Sequence, residues 1–416
     1  MPILTLDSLE PGMVLAEDLT TPDGRMLLPK GAVLTESHLR TCRVWGIPEA
    51  AIQGEDDGYP TSFDQIDPEV LDVCKLLAAR RFVLNPTTHP AVREIARLFV
   101  LRQARGLNPE KAQWMLSASP HDDDVDLFAP SAEAEPVDPE KVVDREMELA
   151  SLPDIYFQIS ESLRNPRSSA AYVAEVISKD VALAAKLLRM VNSPFYGFTQ
   201  KIDTLSRAVT IVGTAQLTNL ALGLSVISVF EGIPEKAFTL KEFWFHSVAC
   251  GILSRLLAVR IGLDGDEKFF VAGLLHDIGR LVMLRNHPRR AGEVLNLAAS
   301  GRKSLVDVER SVWGCTHADI GGRMLRKWGL PDFLAEVVAG HHQPKRSAMP
   351  REAAVVNVAD FMAHGLDMGE SGPTLVPELN PSAWDALGIP VAELAELTHK
   401  AERQADTIMA AFFPRG

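Results

Sequence analysis

Apolar and polar positions along this chain first alternate and then fall into helical spacing, and that change predicts its architecture. Before about residue 56 they alternate in short bursts around the turn signals Pro11-Gly12, Thr21-Pro22-Asp23-Gly24 and Pro29-Lys30-Gly31. Alternation of period two marks a half-buried strand. Val14 and Ala16, then Met26 and Leu28, predict short strands across a turn at Asp23-Gly24, and Ala50-Ala51-Ile52 predicts a last strand. Thr35 is placed to cap a helix that Gly46-Ile47-Pro48 ends.

Between Pro68 and Ser117 the period becomes helical. Val70, Leu71, Val73, Cys74 and Leu77 share one face, and Val92, Ile95, Ala96, Phe99 and Val100 share another. From Asp122 to Glu140 there are eight acids and no base, mixed with Pro and Ala. Such a stretch cannot bury a core and reads as a flexible tether. From Val142 onward the chain reads as helical, with Asp180 capping a run to Leu188, Ser193-Pro194 breaking it, and new helices at Thr204 and Leu217. Within Val391 to Phe413, the positions Leu394, Ala395, Leu397, Ala401, Ala405 and Ile408 form one stripe. That final amphipathic helix either closes the domain or pairs with a second copy.

The pattern therefore predicts a mainly α protein in four parts. These are a small β-rich module over 1–56, a helical segment over 66–117, an acidic linker over 118–140 and a helical domain over 141–416. Residues 1–117 and 141–416 are expected to fold separately, with protease cutting first between His121 and Glu140.

Composition narrows the function classes. A net charge of −13 argues against broad binding of nucleic acid or anionic membrane, which needs a basic face. The helix–break–helix rhythm from Asp180 to Gly213 mimics a DNA-binding element but has too few basic residues for one. No run of 18 uncharged apolar residues and no basic-then-apolar leader is present, so a cytoplasmic protein is expected. The four cysteines, Cys42, Cys74, Cys250 and Cys315, are widely spaced and read as reduced thiols. Cys315 lies two residues before His317 but reads as a small buried residue rather than a ligand.

Candidate chemistry centres on His276-Asp277-Ile278-Gly279, which follows the apolar run Phe269-Phe270-Val271-Ala272-Gly273-Leu274-Leu275. A histidine and a carboxylate buried together are costly unless something satisfies both. A divalent cation does so; a core histidine bonded to its neighbour is the plainer alternative. Further along come Glu242 and His246, one helical turn apart, then His317, the tandem His341-His342, and Asp360. Five of the eleven histidines fall in this ordered set, while His38, His89, His121, His287, His364 and His399 read as surface residues. On that reading, removing His364 leaves metal binding untouched.

The stretch from about Leu152 to Pro344 resembles the HDOD domain, the HD-related output domain of the HD superfamily of metal-dependent phosphohydrolases. The matching segments are Leu152-Pro153, Leu187 to Gly197 with its Asn192-Ser193-Pro194, Ser206-Arg207-Ala208-Val209 with Val212-Gly213, and Phe243-Trp244-Phe245-His246-Ser247. Gly273 to Arg280, Gly314 to Gly321, Trp328-Gly329-Leu330-Pro331 and His341-His342 complete them. The resemblance implies an all-helical domain over 141–416, with its core at 152–344 and a regulatory role. The N-terminal module is similar to small β-rich modules that precede HDOD and HD-GYP domains.

The ordered acids and histidines are also similar, place by place, to the two-metal site of the HD-GYP phosphodiesterases that cleave cyclic di-GMP. That likeness implies a metal set of Glu242, His246, His276, Asp277, His317, His341, His342 and Asp360, holding one or two ions of iron, manganese, zinc or magnesium. His246, His276, Asp277 and Asp360 would serve one ion, and Glu242, His317, His341 and His342 the other, with Asp277 between them. If the protein is an enzyme, Asp277 and Arg280 are the catalytic candidates, Arg280 as a phosphate contact. After the tandem histidines, however, the chain reads Gln343-Pro344-Lys345-Arg346-Ser347 where those enzymes carry an acid and a Gly-Tyr-Pro loop. A regulatory protein that senses a nucleotide-type ligand or docks other signalling proteins is therefore expected ahead of a working phosphohydrolase. A homodimer is compatible with the final stripe.

Overall fold

The computed structural model describes the chain apart from residues 1–2, 7–8, 10–12, 22–25, 48, 54–61, 106, 113–135, 150–154, 156, 160, 162–168, 194, 197, 199, 231–238, 371–374 and 414–416. The N-terminal module comprises β1 (Ile3–Thr5), β2 (Val14–Leu15), β3 (Leu19–Thr20), β4 (Met26–Leu28), α1 (Glu36–Val44) and β5 (Glu49–Gln53). A three-stranded antiparallel sheet runs β1-β5-β2, with Ile3 opposite Ala51 and Leu15 opposite Ile52. The Thr35 side chain accepts the His38 amide, capping α1 as the sequence indicates.

One strand pairing differs from expectation. Val14–Leu15 pairs with β5, and it is Leu19–Thr20 that pairs with Met26–Leu28. The Leu15 amide and carbonyl are bonded to Ala32 and Gly31, so the chain from Met13 to Leu34 closes on itself before it can form a long hairpin. The Asp23-Gly24 turn lies outside the described residues. Leu6, Leu15, Leu34, Leu39, Ile47 and Ile52 give the module a core of its own.

The rest is helical. α2 (Pro68–Arg81) and α3 (Pro90–Gln103) form a hairpin, followed by α4 (Pro139–Leu149). Next come α5 (Ala170–Ser178), α6 (Val181–Val191), α7 (Leu205–Val212) and α8 (Thr214–Val229), a lobe in which Asp180 and Thr204 cap as expected. α9 (Leu240–Arg260) leads into α10 (Asp266–Leu275), α11 (Ile278–Asn286), α12 (Pro288–Gly301) and α13 (Leu305–Trp313). α14 (His317–Lys327), α15 (Asp332–Gly340), α16 (Pro350–Gly365), α17 (Pro381–Leu387) and α18 (Leu394–Phe412) complete the body.

α9 is the axle. It packs on α10, α16 and α18, and Phe243, Trp244, Val248, Ile252, Leu253 and Leu257 are wholly or almost wholly buried. Among the described residues it is also the one helix long and apolar enough to cross a membrane, but it is mostly buried inside the protein. The stripe Leu394, Leu397, Ala401, Ala405 and Ile408 of α18 is covered within the same chain, so α18 closes the body. Ala395 stands off that stripe, half-buried.

The expected break between 66–117 and 141–416 is not a break in the core. A single apolar cluster runs from Ile66 to Phe412 and takes in Val70, Ile95 and Phe99. Polar clamps reinforce it. Arg81 Nε donates to the His364 carbonyl at 3.0 Å and its Nη2 lies 2.9 Å from Asp367. Asn85 Nδ2 donates to the Val376 and Pro377 carbonyls, and its Oδ1 accepts the Leu379 amide at 2.9 Å. Arg102 and Arg105 both pair with Glu402 of α18. Sequence periodicity shows that α2 and α3 have apolar faces but not which faces receive them. The acidic stretch expected to be cut by protease lies mostly outside the described residues.

Ile95 is fully buried, and truncating such a side chain costs about 2–5 kcal/mol. Ile95→Ala is expected to lower the melting temperature of the whole helical body in one transition. A separate early transition confined to α2–α3, seen by calorimetry with hydrogen exchange, would contradict the shared core.

Candidate metal centre

His276 and Asp277 occupy the joint between α10 and α11, His276 as the last cap of one helix and Asp277 as the first of the next. The Asp277 side chain makes no capping bond; it is turned inward instead and is fully buried. Gly279 makes this joint possible. A Cβ there would sit 2.0 Å from the His317 carbonyl oxygen, so only glycine lets α11 approach the start of α14. That approach leaves His317 Nε2 3.1 Å from Asp277 Oδ1.

Other helices deliver the remaining donors. His246 comes from the second turn of α9, His317 from the capped first turn of α14, and His341-His342 from the end of α15. Asp360 and His364 lie one turn apart on α16. Four sets each bring three donor atoms within 4.8 Å of one another: His246, His276 and Asp277; His276, His341 and Asp360; His246, Asp360 and His364; and His317, His341 and His342.

The hydrogen bonds around this cluster fix which nitrogen faces inward. His276 Nδ1 lies 2.7 Å from the Gly273 carbonyl and His341 Nδ1 2.7 Å from the Val338 carbonyl. His317 Nδ1 lies 2.7 Å from Glu309 Oε2. Each acceptor takes an Nδ1–H, which aims the three Nε2 atoms at the centre, the arrangement outer acceptors impose on metal-bound histidines. His276 Nε2, His341 Nε2, His246 Nδ1 and both Asp277 oxygens are buried without a well-formed hydrogen bond, although Arg280 Nη1 stands 3.0 Å from Asp277 Oδ2. Each such atom costs about 1–3 kcal/mol. His246 instead turns Nε2 to the centre, 3.1 Å from Asp360 Oδ1. Those His276 and His341 nitrogens and Asp277 oxygens, which meet there, could serve as a cation's ligands, and a set this rich in imidazole suits iron, zinc or manganese better than magnesium.

Charges within the cluster are strongly biased. Burial pushes Asp277 up, but Arg280, His276 and His317 more than offset it and hold the carboxyl well below its usual range. Burial opposes charge on His276, yet Asp277, Cys250 and Asp360 lift it well above its ordinary value. His317 is lifted against burial by Glu309 and Asp277. Burial, with the charges on His276 and His317, lowers His341 to about 3. Asp277, Asp360 and Glu309 thus favour positive charge on His276 and His317 at the place where a divalent cation would supply its own, and proton and cation compete there.

Seven of the eight expected metal residues, all but Glu242, meet here. Glu242 is half-buried and outside every donor set. Its carbonyl accepts the Glu370 amide, and Gly369, at φ +77°, lies so close that a Cβ would meet the Glu242 carbonyl at 2.5 Å and the His246 amide at 2.4 Å. The 369–370 segment thus covers the first turn of α9. His364 was expected at the surface but is buried, with Nε2 3.4 Å from Asp360 Oδ1 and its ring 4.2 Å from that of His246. The one-turn spacing from Asp360 was the signal available for it. Glu309, buried on the apolar face of α13, also escaped the sequence reading; an acid at an inward position eight residues before His317 was its trace. Arg280, expected as a phosphate contact, is buried against Asp277. Cys315 is buried outside the donor sets.

Residues 149–344 match the family model of the HDOD domain. This stretch is an HDOD domain. An HDOD domain protein of unknown function from Geobacter sulfurreducens superposes with a TM-score of 0.55 at 22% identity, covering 67% of this chain and all of that one. An uncharacterized protein of Treponema pallidum (strain Nichols) is 26% identical over 204 residues, 48% of this chain and 39% of its own length. Ribonuclease Y of Fervidobacterium nodosum is 34% identical over 118 residues, 28% of this chain and 17% of its own length. The chain thus spans well under half the length of these two relatives.

His364→Ala is expected to lower the metal content of the purified protein, whereas Glu242→Ala leaves it unchanged, both measured by elemental analysis. Equal loss in both variants, or in neither, would contradict the donor sets of this chain. Glu309→Gln is expected to weaken metal affinity about 10–100-fold, as loss of an orienting carboxylate does, with unchanged helical content by circular dichroism.

Proposed function

We propose that this chain is a cytoplasmic signal-transduction protein whose HDOD domain holds one or two divalent transition-metal ions and senses a ligand or docks signalling partners. The observation that carries this reading is the convergence of inward-facing imidazole nitrogens on the buried Asp277 and Asp360 carboxylates. Asp277, His246, His276, Asp360 and His364 would hold one ion, and His317, His341 and His342 could hold a second. Regulation is favoured because Pro344–Arg346 forms a tight turn after the tandem histidines, where cyclic di-GMP phosphodiesterases carry their Gly-Tyr-Pro loop.

A metal-dependent phosphohydrolase is the second reading, supported by a cavity of about 390 Å³ that reaches His342 and Asp360. The partial likeness to ribonuclease Y agrees with phosphodiester chemistry. A bound cation would acidify a water and offset charge on a phosphoryl group. The chain's own part is to hold Asp277 ionised through Arg280 and to keep the imidazoles oriented from outside.

His276→Ala with Asp277→Ala is expected to abolish metal binding in protein purified without chelators. Metal content equal to the parent would sink the centre. Cyclic di-GMP supplied with manganese or iron is expected to give little or no turnover. Robust cleavage that disappears in the His276 variant would reverse the order of the two readings.

A further inference from the structure

The cavity beside the metal centre has a chemistry of its own. Its inner end is formed by His342 and Asp360, which belong to different donor sets. One helical turn before Asp360 lies Asn357, 8% exposed, whose Oδ1 is buried without a partner and which lines the same cavity. Phe361 and Leu379 supply apolar wall, and Arg310 of α13 reaches it from the surface with no ion pair among the described residues. Asp307 and Glu378, both exposed, stand at the rim.

We propose that this cavity binds one phosphomonoester bearing hydroxyl groups, of nucleoside-monophosphate size, with its phosphate toward Arg310 and the metal-ligand end and a hydroxyl donating to Asn357 Oδ1. The proposal rests on the metal-centre reading for its inner end only. Three observations carry it. An orphaned acceptor that is nine-tenths buried costs about 1–3 kcal/mol, which a ligand hydroxyl would recover. A guanidinium without a carboxylate partner is suited to phosphate. The volume lies near the lower end of small-molecule sites, which run about 300–1,000 Å³, and the acidic rim repels a second phosphate. Together these favour a monophosphate over a triphosphate or a cyclic dinucleotide.

The outer wall comes from beyond the HDOD match. Val376 to Leu379 is pinned by Asn85, which bonds the carbonyls of Val376 and Pro377 and the amide of Leu379. Asn85 is therefore a positioning residue: it holds the wall without lining the cavity.

Isothermal titration of the full-length protein with GMP, AMP, GTP, cyclic di-GMP and inorganic phosphate tests this, with metal content measured on the same samples. GMP or AMP is expected to bind at least about tenfold more tightly than inorganic phosphate. Arg310→Ala and Asn357→Leu should each weaken that binding about tenfold or more and leave metal content at the parent level. Asn85→Ala should weaken nucleotide without altering metal. Arg310 is exposed, so its variant tests the proposal even if Asn357→Leu does not fold. Absence of monophosphate binding, preference for GTP or cyclic di-GMP, or binding indifferent to Arg310 would overturn the proposal. Metal-free parent protein would defeat the metal-centre reading alone, and the cavity would then stand or fall on the Arg310-dependent binding of GMP or AMP.

Discussion

The charge of the buried Asp277 carboxylate is the constraint around which this helical body is organised. A carboxylate removed from water is sustainable only if opposite charge and hydrogen-bond donors stand within a few ångströms. Here Arg280 lies on the next turn, His276 beside it, and His317 arrives because Gly279 lets two helices touch. His341 and His246 close the ring from α15 and α9. Each is buried, so none can move away to solvent, and the surrounding apolar helices keep the distances short. A cluster with this many inward donors is poised for a cation in a way that an ordinary buried ion pair is not.

That constraint reaches well outside the HDOD match. The carbonyl of His364, whose ring joins the centre, accepts from Arg81, and the segment after α16 is tied to the α2–α3 hairpin through Asn85. The helix that carries Asp360 and His364 and the wall of the adjoining cavity therefore share supports with residues near the N-terminus of the helical body. In a continuous core, a change in how α2 and α3 sit has a direct physical route to the centre. The β-rich module touches the same body through the Glu49–Arg403 ion pair, next to the Glu402 cluster.

The sequence by itself determined a good deal. Period-two and helical spacing set the β-rich start and the helical remainder, since burial of one face leaves its mark on every strand and helix. Caps at Thr35, Asp180 and Thr204 were legible because capping is a local interaction. The ordered histidines and acids were legible because ionisable groups within apolar runs have few other uses, and seven of the eight assigned to the metal do converge.

What needed the tertiary structure was every choice between equivalent local patterns. Glu242 and His364 each stand one turn from a member of the cluster, and sequence spacing treats them alike. The chain at Gly369–Glu370 lies across α9 and excludes the first, while the inward face of α16 admits the second. Glu309 could be found only once α13 lay against the start of α14, and Arg280 reads as a phosphate contact until its neighbour Asp277 claims it. The hairpin α2–α3 seemed a separate unit because an acidic stretch follows it. Its core was shared all along, because apolar periodicity records that a face is buried and carries no record of what buries it.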